Sequence, residues 1–258
     1  MSAAPACACL LLHGFAGTPF EMEPLAPGLE ALGCSVDLPL LPGHGAGLAA
    51  FRKSFFPDWL HFAEQRFLTL CQSHDKVIPI GFSMGGCLAL TIAARNSSRP
   101  QLAGVAALSP PHTILRFPPQ SKKDLWLWLT PLLQYLRPEV PISQNPASLA
   151  AAPFQGLESP LCLPQLWSLI KGSGLMRREL PKLTRPLFLI YDLNDHVCPP
   201  ENALRIARGC ASTDVTLRWL RITERAGSRH RITTHRQSRD LAAAATAAFV
   251  RRLLNPTD

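Results

Sequence analysis

The chain has 258 residues, 47% hydrophobic and 17% charged, with a formal charge of +8. That composition excludes a disordered chain, supplies a sizeable core, and fits one large domain or two small ones. Most of the charge lies from Arg205 to Asp258, where eleven arginines and four acids are dispersed among Ala, Leu and Thr; they read as solvated helix faces, and no nucleic-acid partner is expected.

Residues 6–12 form a short apolar run that reads as a buried strand. The start has no positive n-region, so it is read as this strand and not as a signal peptide. Thr18-Pro19-Phe20-Glu21 combines a capping box with Pro at the first helical position, which predicts a helix to about Leu32. A strand over 34–38 follows, then the loop Pro42-Gly43-His44-Gly45. Apolar residues at helical spacing predict a helix over 59–71. A strand at 77–80, a small-residue helix at 86–94 and a strand at 103–108 come next. Residues 110–181 are rich in Pro, Leu and Trp, with helical stretches and no strand pattern. Beyond them the strand pattern resumes at 186–191, followed by a helix at 202–208, a strand at 215–220 and a closing helix at 241–254.

Strands alternating with helices imply an α/β fold with a mostly parallel, doubly wound sheet. Residues 1–111 and 181–258 form the expected core, and 112–180 an inserted, small helical cap. No apolar run reaches the ~18 residues of a membrane span, so a soluble, cytoplasmic chain without stable membrane insertion is expected; oligomeric state is left open. The eight cysteines contain no C-x-x-C pair and lie mostly in apolar runs. They read as free buried thiols, with no clustered Cys/His spacing for a metal.

The most informative motif is Gly81-Phe82-Ser83-Met84-Gly85, between a strand and a helix of small residues. A nucleophilic serine on a sharp strand-to-helix turn needs tiny neighbours, and the two glycines meet that need. Acyl transfer also needs two N–H donors for the oxyanion. Met84, just after the serine, offers one. Phe15, in the loop His13-Gly14-Phe15-Ala16-Gly17 after the first strand, offers the other, with His13 as a structural histidine. A serine nucleophile needs a base and an acid that orients it. Asp192 and Asp195 both follow the strand at 186–191; Asp195 is preferred for its loop position, and Asp192 is read as a turn cap. His230 lies in the loop after the last strand and is preferred to His235 as the base. His44, His61, His74, His112 and His196 are read as loop or helix-surface residues.

The segments LLLHGFAGTPFEMEPLAPGLEALG, LPLLPGHG, VIPIGFSMGG, and IYDLNDHVCPPENA followed by SRHRITTH resemble the carboxylesterase and monoacylglycerol lipase branch of the α/β-hydrolases. The resemblance spans both ends of the chain but not the cap. It implies the α/β-hydrolase fold, Ser83 as nucleophile, Asp195 as acid, His230 as base, and Phe15 and Met84 as oxyanion donors. One departure stands out: the family usually has glycine before the histidine, where this chain has Arg229, with Arg231 following. Two flanking cations oppose protonation of the base.

The expected activity is hydrolysis of carboxylic esters with short- to medium-chain acyl groups. Monoacylglycerol lipase activity and acyl transfer by the same residues are the alternatives. The partner is a small-molecule ester, and no metal or organic cofactor is needed. Trp126 and Trp128 of the cap are expected to bind the acyl group; Trp167, Phe15 and Phe20 are further candidates for the pocket wall.

Overall fold

The computed structural model describes residues 6–114, 122–143 and 145–255, with residues 122–126 described by backbone alone. Strand β1 (Cys7–Leu12) is wholly buried. It is followed by two 3-10 turns, Pro19–Glu21 and Glu23–Leu25, and a short helix α1 (Ala26–Glu30). The continuous helix expected from Thr18 is therefore broken. Pro24 and Pro27 remove backbone donors, and neither half of the capping box is used for capping. Thr18 Oγ1 donates to Gln155 O at 3.1 Å, and Glu21 accepts from Gly14 N at 2.9 Å.

The chain continues through β2 (Cys34–Asp37), α2 (Leu48–Phe51), α3 (Phe56–Ser73), β3 (Lys76–Phe82), α4 (Met84–Arg95) and β4 (Val105–Leu108). After a longer segment come β7 (Leu187–Asp192), α8 (Glu201–Gly209), β8 (Val215–Leu220) and α9 (Arg239–Leu254). The six strands pair in parallel in the order β2-β1-β3-β4-β7-β8. This is the α/β sheet expected, wound on both faces. Alternate residues of each strand enter two cores, as a two-residue period requires. Leu10, Leu12, Ala107 and Leu189 face α3, α4 and α8. Cys9, Leu11, Ile80 and Ile190 face the turn at Met22 and helices α1 and α9.

Between β4 and β7 lie α5 (Lys122–Leu136), β5 (Glu139–Val140), α6 (Pro146–Ala151), β6 (Leu161–Cys162) and α7 (Leu163–Glu179). β5 and β6 form a small antiparallel pair, Glu139 opposite Cys162, where the sequence showed no strand pattern; two-residue strands carry no periodicity to read. Asn145 caps α6 by accepting from Ala147 N at 2.9 Å. Helix α7 is packed into the core. Its Leu169 and Met176 join the cluster of α3 and α4, and Gly172 lies directly against the ring of Phe56.

The chain turns outward in opposite directions from β1, first to β2 and then back to β3. The crevice at such a reversal, outside the carboxyl ends of the strands, is where open α/β sheets bind ligands. The loops after β1 and β3 therefore meet there. Their closeness is demanding. A Cβ on Gly85 would overlap the Leu12 carbonyl, and one on Gly81 would overlap the Gly85 carbonyl. Gly28 differs: it is helical, and a Cβ there would only touch Ala247 Cβ at 3.4 Å. Gly81→Ala should lower stability by ~3 kcal/mol or more through backbone displacement. Gly28→Ala should be neutral or stabilising, by up to ~1 kcal/mol. Urea unfolding of both variants checks this pair; equal losses would mean that the turn relaxes around a methyl group.

Candidate active site

Ser83 sits between β3 and α4 with φ 52° and ψ −116°, a left-handed conformation rarely adopted by a non-glycine residue. Its N–H donates to Leu108 O at 2.8 Å, and its carbonyl accepts from Gly86 N and Cys87 N. The turn is thus fixed on one side by the sheet and on the other by the helix. Met84 is the first residue of α4, so its N–H precedes the intrahelical ladder.

Three side chains predicted from sequence are brought together. Ser83 Oγ lies 2.8 Å from His230 Nε2, and His230 Nδ1 lies 2.7 Å from Asp195 Oδ2. Because a carboxylate only accepts, Nδ1 carries the proton, and Nε2 presents its lone pair to the serine hydroxyl. The other oxygen of Asp195, Oδ1, accepts from Val197 N at 2.8 Å and Cys198 N at 2.9 Å. All three residues are buried, Ser83 at 9% exposure.

Asp192 does something else. Oδ1 accepts from Asn194 N at 2.8 Å and Oδ2 from Ile222 N at 2.5 Å, tying the end of β7 to the chain after β8. Burial raises its pKa, against the lowering effect of these N–H groups. His235 is buried, accepts from Gln237 N and faces Glu224, away from the serine. The two arginines beside His230 are engaged elsewhere. Arg229 donates to Glu224 O, and Arg231 donates to Ala152 O while its guanidinium stacks 4.4 Å over the Phe154 ring.

His13 is structural, as its position suggests. Nδ1 donates to Gly14 O at 2.9 Å, and Nε2 accepts from Leu41 N at 3.2 Å. Burial first, and the neighbouring His44 second, lower its pKa to about 3. His44 is not a surface residue: it is buried, edge-on to His13 with centroids 4.8 Å apart.

Beside Ser83 and His230 opens a cavity of about 540 Å³, inside the range of ~300–1,000 Å³ usual for small-molecule sites. Phe15, Phe51, Phe82, Phe154, Leu166 and Leu169 supply much of its apolar wall. Glu21, Glu158, Arg231 and Ser228 supply polar lining. Among the expected pocket residues, Phe15 is in the wall. Phe20 and Trp167 are not part of the lining, nor is Trp128, which stands 40% exposed on α5. The side chain of Trp126 lies outside the described residues. The aromatic wall comes instead from phenylalanines of four separate segments, which no local pattern marks.

Sequence reasoning missed Glu21 as a site residue because the capping box gave it another use. The prolines three and six residues later, which break that helix, are the signal that frees it. It also missed that Cys7, Cys9 and Cys34 come together, with their sulfurs within 4.8 Å of one another. The absence of metal-like spacing in the chain is corrected by strand pairing, which sets Cys34 opposite Cys7.

A family model described as the alpha/beta hydrolase family matches residues 9–246. The chain belongs to the alpha/beta hydrolase family. Within this family it is similar to a thermostable monoacylglycerol lipase of Bacillus sp. strain H-257, 30% identical over 221 residues, covering 82% of this chain and 80% of the relative. It is also 27% identical over 241 residues to the esterase YjfP of Escherichia coli K12, covering 87% and 82%. Among solved structures, one from work on LipS and LipT, two metagenome-derived lipolytic enzymes, superposes with a TM-score of 0.82 at 26% identity, covering 97% and 96%. These similarities place this alpha/beta hydrolase in the monoacylglycerol lipase and esterase branch.

Glu21 gives this hydrolase a pH signature. Burial raises its pKa from 4.5 to about 7, against the lowering effects of Gly14 N–H, Arg231 and His230. The folded state therefore holds a proton that the unfolded state has released between these values. The stabilisation is complete below about 4.5 and is lost as pH rises through about 7. At ~1.4 kcal/mol per unit the loss is on the order of 3 kcal/mol. Glu21→Gln keeps an acceptor for Gly14 N–H and removes this term. Its stability relative to wild type should climb between pH 5 and 8 in thermal unfolding, and a difference independent of pH would contradict the assignment.

Proposed function

We propose that this hydrolase cleaves carboxylic esters of short- to medium-chain acyl groups through an acyl-enzyme on Ser83. The observation that carries the reading is the continuous hydrogen-bonded chain Ser83–His230–Asp195 at the edge of the cavity. In this mechanism His230 Nε2 takes the hydroxyl proton as Oγ attacks the ester carbonyl, then returns it to the leaving alcohol. Asp195 holds the reactive tautomer and stabilises the imidazolium. The N–H groups of Met84 and Phe15 receive the negative charge that develops on the carbonyl oxygen. Water repeats the cycle on the acyl-enzyme.

A monoacylglycerol is the narrower substrate reading, favoured by the make-up of the cavity. Its aromatic and aliphatic wall suits an acyl chain, while Glu21, Glu158, Arg231 and Ser228 suit an alcohol with free hydroxyls. The Bacillus relative named as a monoacylglycerol lipase agrees with this choice.

The cap reading is retained in modified form. We assign the lid to residues 112 to about 162, anchored by α7, whose packing belongs to the core. Acyl-chain preference then rests on two wall residues, Phe154 of the lid and Leu166 of α7, more than on Trp128.

Hydrolysis of p-nitrophenyl esters of graded length, beside 1-monoacylglycerols, tests these roles. Ser83→Ala should lose roughly 10⁴-fold or more in kcat with its fold intact; retention of a tenth of the rate would remove Ser83 from the mechanism. Asp195→Asn should lose a similar factor in kcat. Asp192→Asn should lose stability first, because it unties β7 from residue 222. If Asp192→Asn is instead the variant crippled in kcat at full stability, the acid is misassigned. Leu166→Ala should shift the preferred acyl length upward, whereas Trp128→Ala should leave the ranking unchanged.

A further inference from the structure

Residues two apart on a strand share a face, so Cys7 and Cys9 point to the same side of β1. The parallel register sets Cys34 of the edge strand β2 opposite Cys7. The three sulfurs lie within 4.8 Å of one another, and all three residues are buried. Their surroundings are apolar, with Leu29 and Ile78 in the same cluster. The nearby cation, Lys76, donates to the carbonyls of Leu253 and Leu254. This trio stands apart from the cavity that holds Ser83.

We propose that Cys7, Cys9 and Cys34 form a three-sulfur binding site for trivalent arsenic. Donor type, number and charge all lead there. Sulfur alone selects soft, thiophilic ions. Zinc in a closed site takes four ligands, and among the described residues the group stops at three. Three sulfurs around one centre at ~2.3 Å are at most ~4.0 Å apart. Side-chain rotation on an edge strand has only about an ångström to close.

Charge decides among soft ions. Arsenous acid, As(OH)3, reacts with three thiols. Three As–S bonds form, three As–O bonds break, and each thiol proton leaves with a hydroxide as water. Arsenic stays trivalent and the product is neutral. An apolar pocket penalises a net charge and does not penalise this adduct.

The test uses the full chain, reduced with a phosphine and titrated with arsenite. Native mass spectrometry should show one arsenic bound per chain, and X-ray absorption should show three sulfur neighbours and no oxygen. The unfolding midpoint should rise with arsenite concentration, as for any ligand of the native state. Cys34→Ala, at the sheet edge, and Cys9→Ala should each weaken binding by ~10²-fold or more, because one arm of the chelate is lost. Cys210→Ala should bind as wild type. Fewer than three sulfurs around arsenic in the wild type overturns the proposal without any variant. So does undiminished binding by folded Cys34→Ala.

Discussion

Everything at the site depends on one close approach: the turn at Ser83 pressed against the end of β1. A serine with φ 52° costs about 1–3 kcal/mol in backbone strain. The strain persists because the turn is held from several sides. Leu108 O takes the serine N–H, the Ser83 carbonyl takes two N–H groups of α4, and Gly85 lies against the Leu12 carbonyl. Larger residues at 81 or 85 would drive the turn away from β1, and the loop that continues β1 would no longer adjoin the serine. Strand order and glycine placement are therefore two parts of one requirement.

The loops beyond the strands have no sheet to satisfy their N–H groups, and buried side chains do this instead. His13 accepts from Leu41 N, Glu21 from Gly14 N, Asp192 from Asn194 N and Ile222 N, and Asp195 from Val197 N and Cys198 N. Unpaired buried amides would cost about 1–3 kcal/mol each, so each side chain fixes one loop conformation. Asp195 combines this pinning with its contact to His230. Its two oxygens divide the tasks: one serves the loop and one serves the imidazole. The histidine is thereby oriented by a group that is itself held in place.

How much of this was legible in the sequence follows from the range over which each feature is determined. The turn at Ser83 is local, since neighbours within two residues must be glycine, and five residues announce it. The order of acid and histidine after late strands is a rule of topology, so Asp195 and His230 could be proposed once the strands were found, and the structure brings both to Ser83. Strand β8 was read to the residue. The helix expected after Thr18 failed because a local capping pattern competed with a distant need, the buried N–H of Gly14, and two prolines let that need prevail. The cavity wall was read least well. Trp128 was conspicuous in the sequence, but large size does not fix direction. The phenylalanines that do line the cavity come from residues 15, 51, 82 and 154, joined only by tertiary packing.

The same tertiary packing makes part of the segment between β4 and β7 inseparable from the site. Residues 151–157 lie between the loop after β1 and the loop that carries His230. Leu157 N donates to Ala16 O at 2.8 Å, and Thr18 Oγ1 to Gln155 O at 3.1 Å. On the other side Arg236 N donates to Ala151 O at 2.9 Å, Arg231 to Ala152 O, and the Arg231 guanidinium covers Phe154. Each hydrogen bond contributes about 0.5–1.5 kcal/mol net, so lifting this stretch alone would cost several kcal/mol and would disturb both loops. It acts as a brace. Helix α5 is different: Leu132, Tyr135 and Leu136 stand largely exposed on it, and little apolar burial secures that side of the helix. Arg231, which follows His230 in the chain, is thus part of the brace, and its charge faces Phe154 and Glu21.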